Sequence, residues 1–451
     1  MEIRDIIHGA IEVYPNELSV IDASLFQRLR FIKQLGFSEH AFPSASHNRY
    51  MHSIGAMHTV TLAFRSIFSK PPWDSVPEKT LSRWEATVRL SALLHDIGHG
   101  PLSHTTEFAM PPVEQLGLSS LVNHQEVRQA SHEDYGLKIL LDSSFTPILK
   151  KACEEEGTQP VYVAGLIHSA LSWNEGDDFF WETVKGQRVN FKPLFQQLIS
   201  SELDADRMDY LRRDSLHCGV SYGEFDIDWL LSNLTAHLRE QNAHLCIEHK
   251  ALYTFEDFLI SRFHMFLMVY MHHKSVVYDE MLKQYLESSD CQYKIPTSIE
   301  QFENHHDFHL YVHLSQSKNE WAQRITKKNP FRMLVEFHSG IPADEESQRA
   351  QDETYEKITQ SLSQRGVNHL KVHSSGELSK YFRKPGFPIF VRYDNHYSKP
   401  SFIPLEQCTD LFQKYEKKQT IRRIYVSPED LRQLKSEKMR GQLPFQQIEV
   451  S

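Results

Sequence analysis

Apolar residues recur at intervals of three and four positions through several stretches of the chain, a spacing typical of amphipathic helices. One helix is predicted to start near Asn48, after a turn rich in proline and serine. Another carries Leu90, Leu93 and Leu94 on one face before it ends at a His-Asp pair. A third begins after Ser131, because serine favours the N-cap position. The pattern predicts a mainly helical protein.

Residues 11–35 divide into two patterns. Residues 11–21 alternate between apolar and polar positions, which predicts a short strand or turn. Asp22 is then placed to cap a helix whose apolar face would carry Leu25, Leu29, Ile32 and Leu35. The opposite face holds three cations, Arg28, Arg30 and Lys33. They either form an ordinary solvated face or grip a triphosphate.

After about residue 300 the pattern changes. Residues 343–366 predict an exposed helix, and the stretches FPIFVRYDN and TIRRIYVSPED predict strands. His305, His309 and His313 are spaced as metal ligands on one helix face can be, but no carboxylate is closely paired with them, so a solvated face is preferred. The fold class is therefore predicted to be mainly α, with a helical core over residues 1–290. A smaller C-terminal α+β lobe over residues 291–451 would pack on this core or join subunits.

The composition narrows the class of protein. The chain has 451 residues, a formal net charge of -10 and five cysteines without a CxxC spacing. No apolar run approaches the ~18 residues that span a bilayer, and the N-terminus lacks the pattern of a signal peptide. The cysteines argue against a disulfide framework or a thiolate zinc site. These features predict a cytoplasmic protein, and the negative charge means that neither a membrane nor nucleic acid is expected as a partner.

Residues 93–105, LLHDIGHGPLSHT, hold the densest group of chemically active side chains. His95 and Asp96 directly follow the apolar helix, and His99 and His104 come soon after. An imidazole nitrogen beside a carboxylate oxygen suits Mn, Fe, Zn or Mg. A His-Asp pair at a helix end can also merely cap carbonyl groups, so a metal site requires further ligands elsewhere in the chain.

Two other stretches offer such ligands. His52 lies three positions after Arg49, so the two side chains share a helix face. Farther along, LDADRMDYLRRD places four aspartates on one helix beside arginines. This pattern is typical of an exposed, ion-paired helix. However, the interleaved apolar residues indicate partial burial, and a buried carboxylate needs a cation.

The order of His52, His95-Asp96 and Asp206 resembles the H…HD…D signature of the HD-superfamily phosphohydrolases. The segments IIHGAIEV, IDASLFQRLRFIKQLG, FPSASHNRYMHSIG, LLHDIGHGPLSH and ELDADRMDYLRRD are similar to the dNTP triphosphohydrolase branch, which includes the animal enzyme with a SAM domain. The similarity extends over residues 3–285. It implies an HD-domain helical core, without a SAM domain before it.

The resemblance implies a role for each matching residue. His52, His95, Asp96 and Asp206 would bind a catalytic metal, Mn, Fe or Zn, with Mg2+ on the substrate phosphates. His99, His104 and His132 would surround the α-phosphate, and one of them would protonate the departing 5′-oxygen. The positions that match substrate contacts are Gln34, Leu35, Arg49, Arg207, Tyr210, Asp214, Tyr270 and Lys274.

A second nucleotide site is also implied, because Asp22, Gln27 and Arg30 match residues that bind an activator nucleotide between subunits. The chain departs from the family pattern at Arg207 and at residues 5–9. Arg207 stands where the animal enzyme has lysine, which changes the hydrogen-bonding geometry. Residues 5–9, DIIHG, lack the proline of the family motif, so constitutive activity is an alternative to activation. The segment MHHK after Tyr270 can be matched in two registers, one residue apart.

Together these observations predict a metal-dependent triphosphohydrolase that converts a dNTP and water to a deoxynucleoside and tripolyphosphate. It would act as a homo-oligomer, either dimer or tetramer. One alternative is another phosphoester hydrolase of the same fold, such as a nucleotidase, phosphodiesterase or nuclease. The other is a non-catalytic nucleotide sensor, which is disfavoured because all the ligands and the nearby histidines are present. The base preference and the native metal stay open.

Overall fold

The computed structural model describes residues 1–118, 121–122, 128–168, 171, 177–339, 341, 344–376, 388–414 and 418–439. The α-helices are α1 (Pro15–Ile21), α2 (Ser24–Gln27), α3 (Arg49–Phe68), α4 (Glu78–Leu94), α5 (His132–Leu141), α6 (Thr146–Glu155), α7 (Pro160–Ile167), α8 (Lys192–Ile199), α9 (Ala205–Cys218), α10 (Ile227–Ser232), α11 (Leu252–Met265), α12 (His273–Leu286), α13 (Ile299–Phe302), α14 (Asp307–Gln316), α15 (Glu320–Thr326), α16 (Glu345–Gln364), α17 (Leu411–Lys414) and α18 (Pro428–Met439). The β-strands are β1 (Glu2–Asp5), β2 (Gly9–Glu12), β3 (Trp181–Val184), β4 (Gln187–Asn190), β5 (Leu234–Arg239), β6 (Asn242–Glu248), β7 (Arg332–His338), β8 (His369–Gly376), β9 (Phe390–Tyr393), β10 (Ser401–Pro404) and β11 (Gln419–Val426). The predicted fold class, mainly α with a smaller C-terminal α+β part, is confirmed.

Polar side chains cap three of the helices that carry the candidate site, α3, α5 and α9. The Asn48 side chain accepts a hydrogen bond from the Met51 amide at the start of α3, as the sequence predicts. Ser131 caps α5 in the same way, and Asp204 caps α9. The last of these helices ends at Gly219, whose φ of 68° favours glycine.

The prediction for residues 11–35 is wrong. Strand β2 stops at Glu12, and α1 follows because Pro15 occupies its first turn and Glu17 accepts a hydrogen bond from the Tyr14 amide. Asp22 therefore lies at the end of a helix and caps no following one. The chain continues as α2 and a short 3₁₀ helix, Arg28–Phe31, so the predicted single helix is replaced by two shorter pieces.

Most of the apolar residues pack into two large clusters on either side of α3. Ile54 and Met57 contribute to one cluster, and Val60 and Phe64 contribute to the other. A third, smaller cluster lies between the sheet of β7, β11 and β8 and helix α16, which buries Tyr355, Ile358 and Leu362. The helix predicted to be exposed therefore has one buried face.

The strands in the described part of the chain form three sheets. Strands β1 and β2 form an antiparallel hairpin, and a second sheet has the order β7-β11-β8. A six-stranded sheet has the order β10-β9-β6-β4-β3, with β5 also paired to β6. The strands predicted at the end of the chain are confirmed as β9 and β11, but they belong to different sheets. The domain boundary at residue 290 remains a prediction, and β9 pairs across it in parallel with β6.

The histidine ladder is less solvated than predicted. Helix α14 begins only at Asp307, so His305 lies outside it. The Tyr293 ring packs against the rings of His305, His309 and His313 at centroid distances of 5.6, 5.6 and 5.1 Å. His309 is exposed, whereas His305 and His313 are half-buried. Within the described residues, no helix is both long enough and apolar enough to cross a bilayer.

Candidate metal centre and active site

Two imidazoles and two carboxylates converge where α3, the end of α4 and α9 meet. The His52 Nε2 atom lies 3.3 Å from the His95 Nε2 atom and 2.9 Å from an oxygen of Asp206. Asp96 completes the group, with carboxylate oxygens 3.5 Å from His52 Nε2 and 3.3 Å from His95 Nε2. The structure thus brings together all four residues that the family resemblance assigns to the metal, although they are separated by up to 154 positions in the chain.

The remaining hydrogen bonds direct the lone pairs of both imidazoles into this group. His52 Nδ1 donates to Asp209 at 2.8 Å, and His95 Nδ1 donates to the Ala92 carbonyl at 2.7 Å. With Nδ1 protonated, both Nε2 atoms are acceptors, and they face each other and two carboxylates. Such an arrangement of acceptors is favourable around a cation, and this is the usual orientation of histidine ligands. The donor set therefore fits a divalent metal.

The electrostatics of His52 agree with this interpretation. Burial lowers the pKa of His52, but hydrogen bonds to Asp206 and Asp209 outweigh burial and raise the pKa to about 10. Burial likewise opposes ionisation of Asp206, yet its bonds to His52 and His95 bring the pKa of its carboxyl below the usual range. The site therefore favours positive charge at its centre.

A buried ionic network holds His52 from behind. Asp209 accepts from Arg213 and from His8 Nε2, the latter at 2.7 Å, and Arg213 donates in turn to Asp5. Gly55 lies where α3 crosses α9, and a Cβ atom there would overlap the side chains of Asp209 and Arg213. The close helix crossing therefore needs a glycine and places Asp209 within reach of His52.

The four candidate ligands His52, His95, Asp96 and Asp206 are here called the metal group. A second cluster lies beside them, formed by the three histidines predicted to surround the phosphate. The rings of His99 and His132 stack with centroids 3.8 Å apart, and the His104 ring lies edge-on to His99 at 4.7 Å. His99 also reaches Asp96, with its Nε2 atom 3.3 Å from a carboxylate oxygen. Burial, Arg49 and His132 lower the pKa of His99 well below its usual value, so its ring is neutral.

Glu107 joins two of these histidines and was not identified from the sequence. One carboxylate oxygen accepts from His132 Nδ1 at 2.7 Å and the other from His104 Nδ1 at 3.1 Å. Burial would raise the pKa of Glu107, but these two imidazoles lower it well below the usual range. Its position three residues after His104 was a signal, because residues i and i+3 share a helix face.

Arg49 connects the metal group to the loop that follows it. Its guanidinium donates to Asp96 and, through Nε, to the Ser103 hydroxyl at 2.7 Å. The predicted substrate contact is therefore adjacent to the proposed metal position, but its charge is already paired with the carboxylate of Asp96, a candidate ligand. Arg207 is also paired, because its guanidinium lies 3.1 Å from Glu202.

Three predicted substrate residues, Tyr210, Asp214 and Tyr270, lie near one another and are here called the polar wall. The Tyr270 hydroxyl donates to Asp214 at 2.8 Å, and the second oxygen of Asp214 accepts from His47 Nε2 at 2.7 Å. Tyr210 lies between Tyr270 and His52, with ring centroids 6.4 Å from each. His47 was not identified from the sequence, because only the fold brings it to Asp214.

The remaining predicted substrate positions differ in their surroundings. The Gln34 side-chain oxygen is buried without a hydrogen-bond partner among the described residues, and Leu35 is half-buried beside the second apolar cluster. Lys274 is exposed in the first turn of α12. A π-helical turn, Phe266–Tyr270, precedes it.

The residues assigned to an activator nucleotide lie near one another on the surface. Gln27 accepts from Arg30 Nε at 2.7 Å and donates to the Ile21 carbonyl at 2.7 Å. The Arg30 guanidinium lies over the Tyr50 ring, 3.5 Å from its centroid, and Asp22 is exposed. Arg28 differs from the predicted cationic face, because it is buried and donates to backbone carbonyls.

Comparisons with known proteins agree with this geometry. The HD domain model matches residues 49–212, and the HD associated region model matches residues 225–372. An uncharacterized protein of Methanocaldococcus jannaschii is 32% identical over 335 residues, which cover 74% of this chain and 59% of that protein. The deoxynucleoside triphosphate triphosphohydrolase SAMHD1 of Gallus gallus is 26% identical over 369 residues, 74% of this chain and 55% of that protein.

A solved structure covers nearly the whole fold. The crystal structure of a hypothetical protein from Aquifex aeolicus superimposes with a TM-score of 0.70 and 27% sequence identity, over 97% of this chain and 99% of that chain. The chain spans less than two thirds of the length of the two curated relatives described above. From the two matching models and the converging His and Asp side chains, we conclude that the chain belongs to the HD-domain phosphohydrolase superfamily and resembles its dNTP triphosphohydrolase branch.

Proposed function

We propose that the protein hydrolyses deoxynucleoside triphosphates at the α-phosphorus, so that a dNTP and water become a deoxynucleoside and tripolyphosphate. The observation that carries this proposal is the pairing of two clusters. The group of His52, His95, Asp96 and Asp206 lies directly beside the histidines His99, His104 and His132, joined to them by the contact of Asp96 with His99. Similarity to proteins named triphosphohydrolases supports the choice of substrate.

The first cluster would hold a divalent cation of the Mn, Fe or Zn type, because its ligands are two imidazole nitrogens and carboxylate oxygens. When bound, such a cation supplies Lewis-acid chemistry, in that it polarises a phosphoryl oxygen and lowers the pKa of water. Asp209 and the Ala92 carbonyl keep the two imidazoles in the ligand tautomer. Mg2+ would accompany the substrate phosphates.

The second cluster would supply the proton that the leaving 5′-oxygen requires. Glu107 accepts from Nδ1 of both His104 and His132, which orients both rings and leaves Nε2 of each ring free to face the substrate. His99 is less suited to donate the proton, because burial and Arg49 lower its pKa and keep the ring neutral, without the extra proton that an imidazolium would release. We therefore assign proton donation to His104 or His132 and substrate orientation to His99.

The wall of Tyr210, Asp214 and Tyr270 would contact the nucleoside, together with Gln34 and Leu35. Asp214 already holds two hydrogen bonds in a buried position, so its carboxylate is oriented before substrate arrives. Arg49, Arg207 and Lys274 are the cations assigned to the phosphates. Arg49 and Arg207 would have to share their donors between the substrate and their present carboxylate partners.

The test is chromatographic analysis of the products from each dNTP and rNTP, singly and in mixtures, with Mn2+ or Mg2+. We expect a deoxynucleoside and tripolyphosphate from the wild-type protein and from the control Asp228→Ala, whose carboxylate is exposed on α10. Asp206→Ala should form neither product. Inorganic phosphate or a nucleoside monophosphate would instead identify a nucleotidase, phosphodiesterase or nuclease, and no turnover would favour a nucleotide sensor.

Regulation and assembly belong to the same proposal. An activator nucleotide at Asp22, Gln27 and Arg30 predicts turnover that appears only in nucleotide mixtures, whereas constitutive activity predicts turnover of a single dNTP. A homo-oligomer, dimer or tetramer, would appear as a multiple of the 52.7 kDa chain mass in light scattering. Localisation in the cytoplasm stays a prediction.

A further inference from the structure

Residues 97–103, here called the catalytic loop, connect the metal ligand Asp96 to His104. The loop has an unusual backbone, because Leu102 and Ser103 have φ angles of 56° and 60°, in the left-handed region that favours glycine. The side chain of Leu102 is fully buried. Two consecutive left-handed residues persist only where surrounding contacts hold them.

Asp307, at the start of α14, supplies one of those contacts. Its carboxylate accepts from the Leu102 amide at 2.7 Å and from the Lys33 amide at 3.0 Å. Asp307, which lies 205 positions after Leu102, therefore joins the catalytic loop to the segment before Gln34. The Ser103 hydroxyl strengthens the same junction by donating to the Lys33 carbonyl at 2.6 Å.

Arg28 holds the other side of the loop. Its guanidinium donates to the Ile97 carbonyl at 3.3 Å, to the His99 carbonyl, and to the His305 carbonyl at 3.0 Å. It also lies over the Phe302 ring, 4.1 Å from the centroid. Arg28 is buried, and each of its nitrogens donates to a backbone carbonyl, so its charge is used to fix backbone positions rather than to bind phosphate.

We propose that Arg28 and Asp307 form a clamp that positions the catalytic loop, so that His99 and His104 face the substrate phosphate beside the metal group. The catalytic consequence of the clamp rests on the proposed function, whereas its effect on the position of the loop does not. Both residues are positioning residues, because they touch the loop backbone and none of the reacting groups. The clamp also couples the active site to residues 302–307, which lie in the HD associated region.

The experiment compares Asp307→Asn and Arg28→Lys with the wild-type protein. Asparagine has one carbonyl oxygen where aspartate has two, so one of the two amides loses its acceptor. Lysine keeps the charge but loses the planar fork that reaches several carbonyls. The matched control is Asp226→Asn. It makes the same change in an exposed carboxylate that accepts a hydrogen bond from the Trp229 amide at the start of α10.

Hydrogen exchange measures the position of the loop without reference to activity. We expect the peptide containing Leu102 or the peptide containing Lys33 to exchange at least about tenfold faster in Asp307→Asn than in the wild type or the control, with unchanged exchange in α3. Unchanged exchange in both peptides would overturn the clamp, even if the protein proves to be an active dNTP hydrolase.

Two substrates separate positioning from general damage. A dNTP has a poor leaving group that needs a proton, whereas the p-nitrophenolate of bis(p-nitrophenyl) phosphate departs without one. We expect Asp307→Asn to lower kcat for the dNTP by about 10-fold or more, with metal content and KM close to wild type and kcat for the nitrophenyl ester nearly unchanged. Because Arg28→Lys acts on the same loop, the double variant should lose less than the product of the two single losses.

Parallel loss of both activities would overturn the catalytic role of the clamp, because general damage affects both substrates equally. A wild-type protein that hydrolyses neither substrate would contradict the proposed function and, with it, this catalytic role. The exchange measurement would still decide whether the clamp holds the loop.

Discussion

At the scale of single residues, side chains that touch no substrate set the chemistry of the candidate metal centre. Asp209 contacts His52 on the ring nitrogen opposite the one that faces the cluster. It thereby fixes the tautomer, while Arg213 and His8 keep Asp209 ionised and in place. We therefore expect the affinity of the proposed site for a cation to depend on a carboxylate outside the candidate ligands.

Asp209→Asn is expected to weaken metal binding by about 10–100-fold. The amide nitrogen of asparagine donates hydrogen bonds, but the partners at this position, Arg213 and His8, require acceptors. Titration with Mn2+, measured by calorimetry, checks the effect. Asp178→Asn, at an exposed carboxylate paired with Arg188, serves as the control. Affinity within twofold of the wild type would show that the tautomer is fixed by other contacts.

Asp279 gives a prediction for the dependence of stability on pH. Burial and the neighbouring Glu280 raise the pKa of its carboxyl to about 7, although Thr105 donates a hydrogen bond to it. The folded protein therefore holds this proton more tightly than the unfolded chain does. The stabilisation is complete below the pKa of the unfolded chain, near 4, and is lost as the pH rises through 7.

Asp279→Asn removes this titration, so the variant should be more stable than the wild type at pH 8, by about 1–2 kcal/mol after allowance for partial solvent screening. The advantage should shrink at pH 5 and vanish near pH 4. Melting temperatures across this range check the prediction. A difference in melting temperature that does not change with pH would contradict it.

At the scale of secondary-structure elements, two close approaches assemble the site. Gly55 permits the crossing of α3 and α9, and Gly98 permits the contact between the catalytic loop and the start of α5. A Cβ atom on Gly98 would overlap the His132 carbonyl and the Gly136 amide. These are backbone atoms that cannot rotate away, so the contact that stacks His99 on His132 requires glycine.

Gly98→Ala is expected to destabilise the protein by about 1–3 kcal/mol, the usual cost of overpacking, and to lower kcat. The matched control is Gly136→Ala, on the facing helix. A Cβ atom there meets only Ile97, at 4.0 Å, so alanine should be neutral or stabilise by roughly 0.5–1 kcal/mol through its helix propensity. Thermal unfolding compares the two variants, and equal effects would contradict the proposed contact.

The elements also show where local patterns predict structure well. The starts of α3 and α5 follow from Asn48 and Ser131, because a cap is a hydrogen bond within three residues. The prediction of a single helix after Asp22 is wrong for two reasons. Pro15 and Glu17 begin a helix earlier in the chain. The apolar spacing of Leu25 and Leu29 is also compatible with a short helix followed by a 3₁₀ turn.

At the scale of the whole molecule, residues after the predicted boundary at residue 290 contact the helical core at several places. Strand β9 extends the sheet of β6, and Asp307 reaches the catalytic loop. The hydroxyl of Tyr425 in β11 donates to the His273 carbonyl at the start of α12 at 2.9 Å. These contacts cross residue 290, so the helical core depends on residues beyond the predicted boundary.

A chain that ends at residue 290 is therefore expected not to fold alone. It would expose part of the sheet edge of β6 and leave the Leu102 amide without its acceptor. Expression of residues 1–290 and 291–451 as separate polypeptides should give soluble protein only when both are present together. Circular dichroism with a cooperative melting transition for the first fragment alone would contradict this expectation and support an independent domain.

The sequence by itself determined the mainly helical fold class, the starts of α3 and α5, and which His and Asp residues were candidate ligands. Helical periodicity and caps act over a few residues, so they can be read locally. Only the tertiary structure decided that Asp209, Glu107, His47 and Arg28 support those residues, and that β9 and β11 belong to different sheets. Asp209 and His52 are separated by 157 positions. No local pattern encodes such a pairing, because it forms only when packing of the apolar faces brings the helices together.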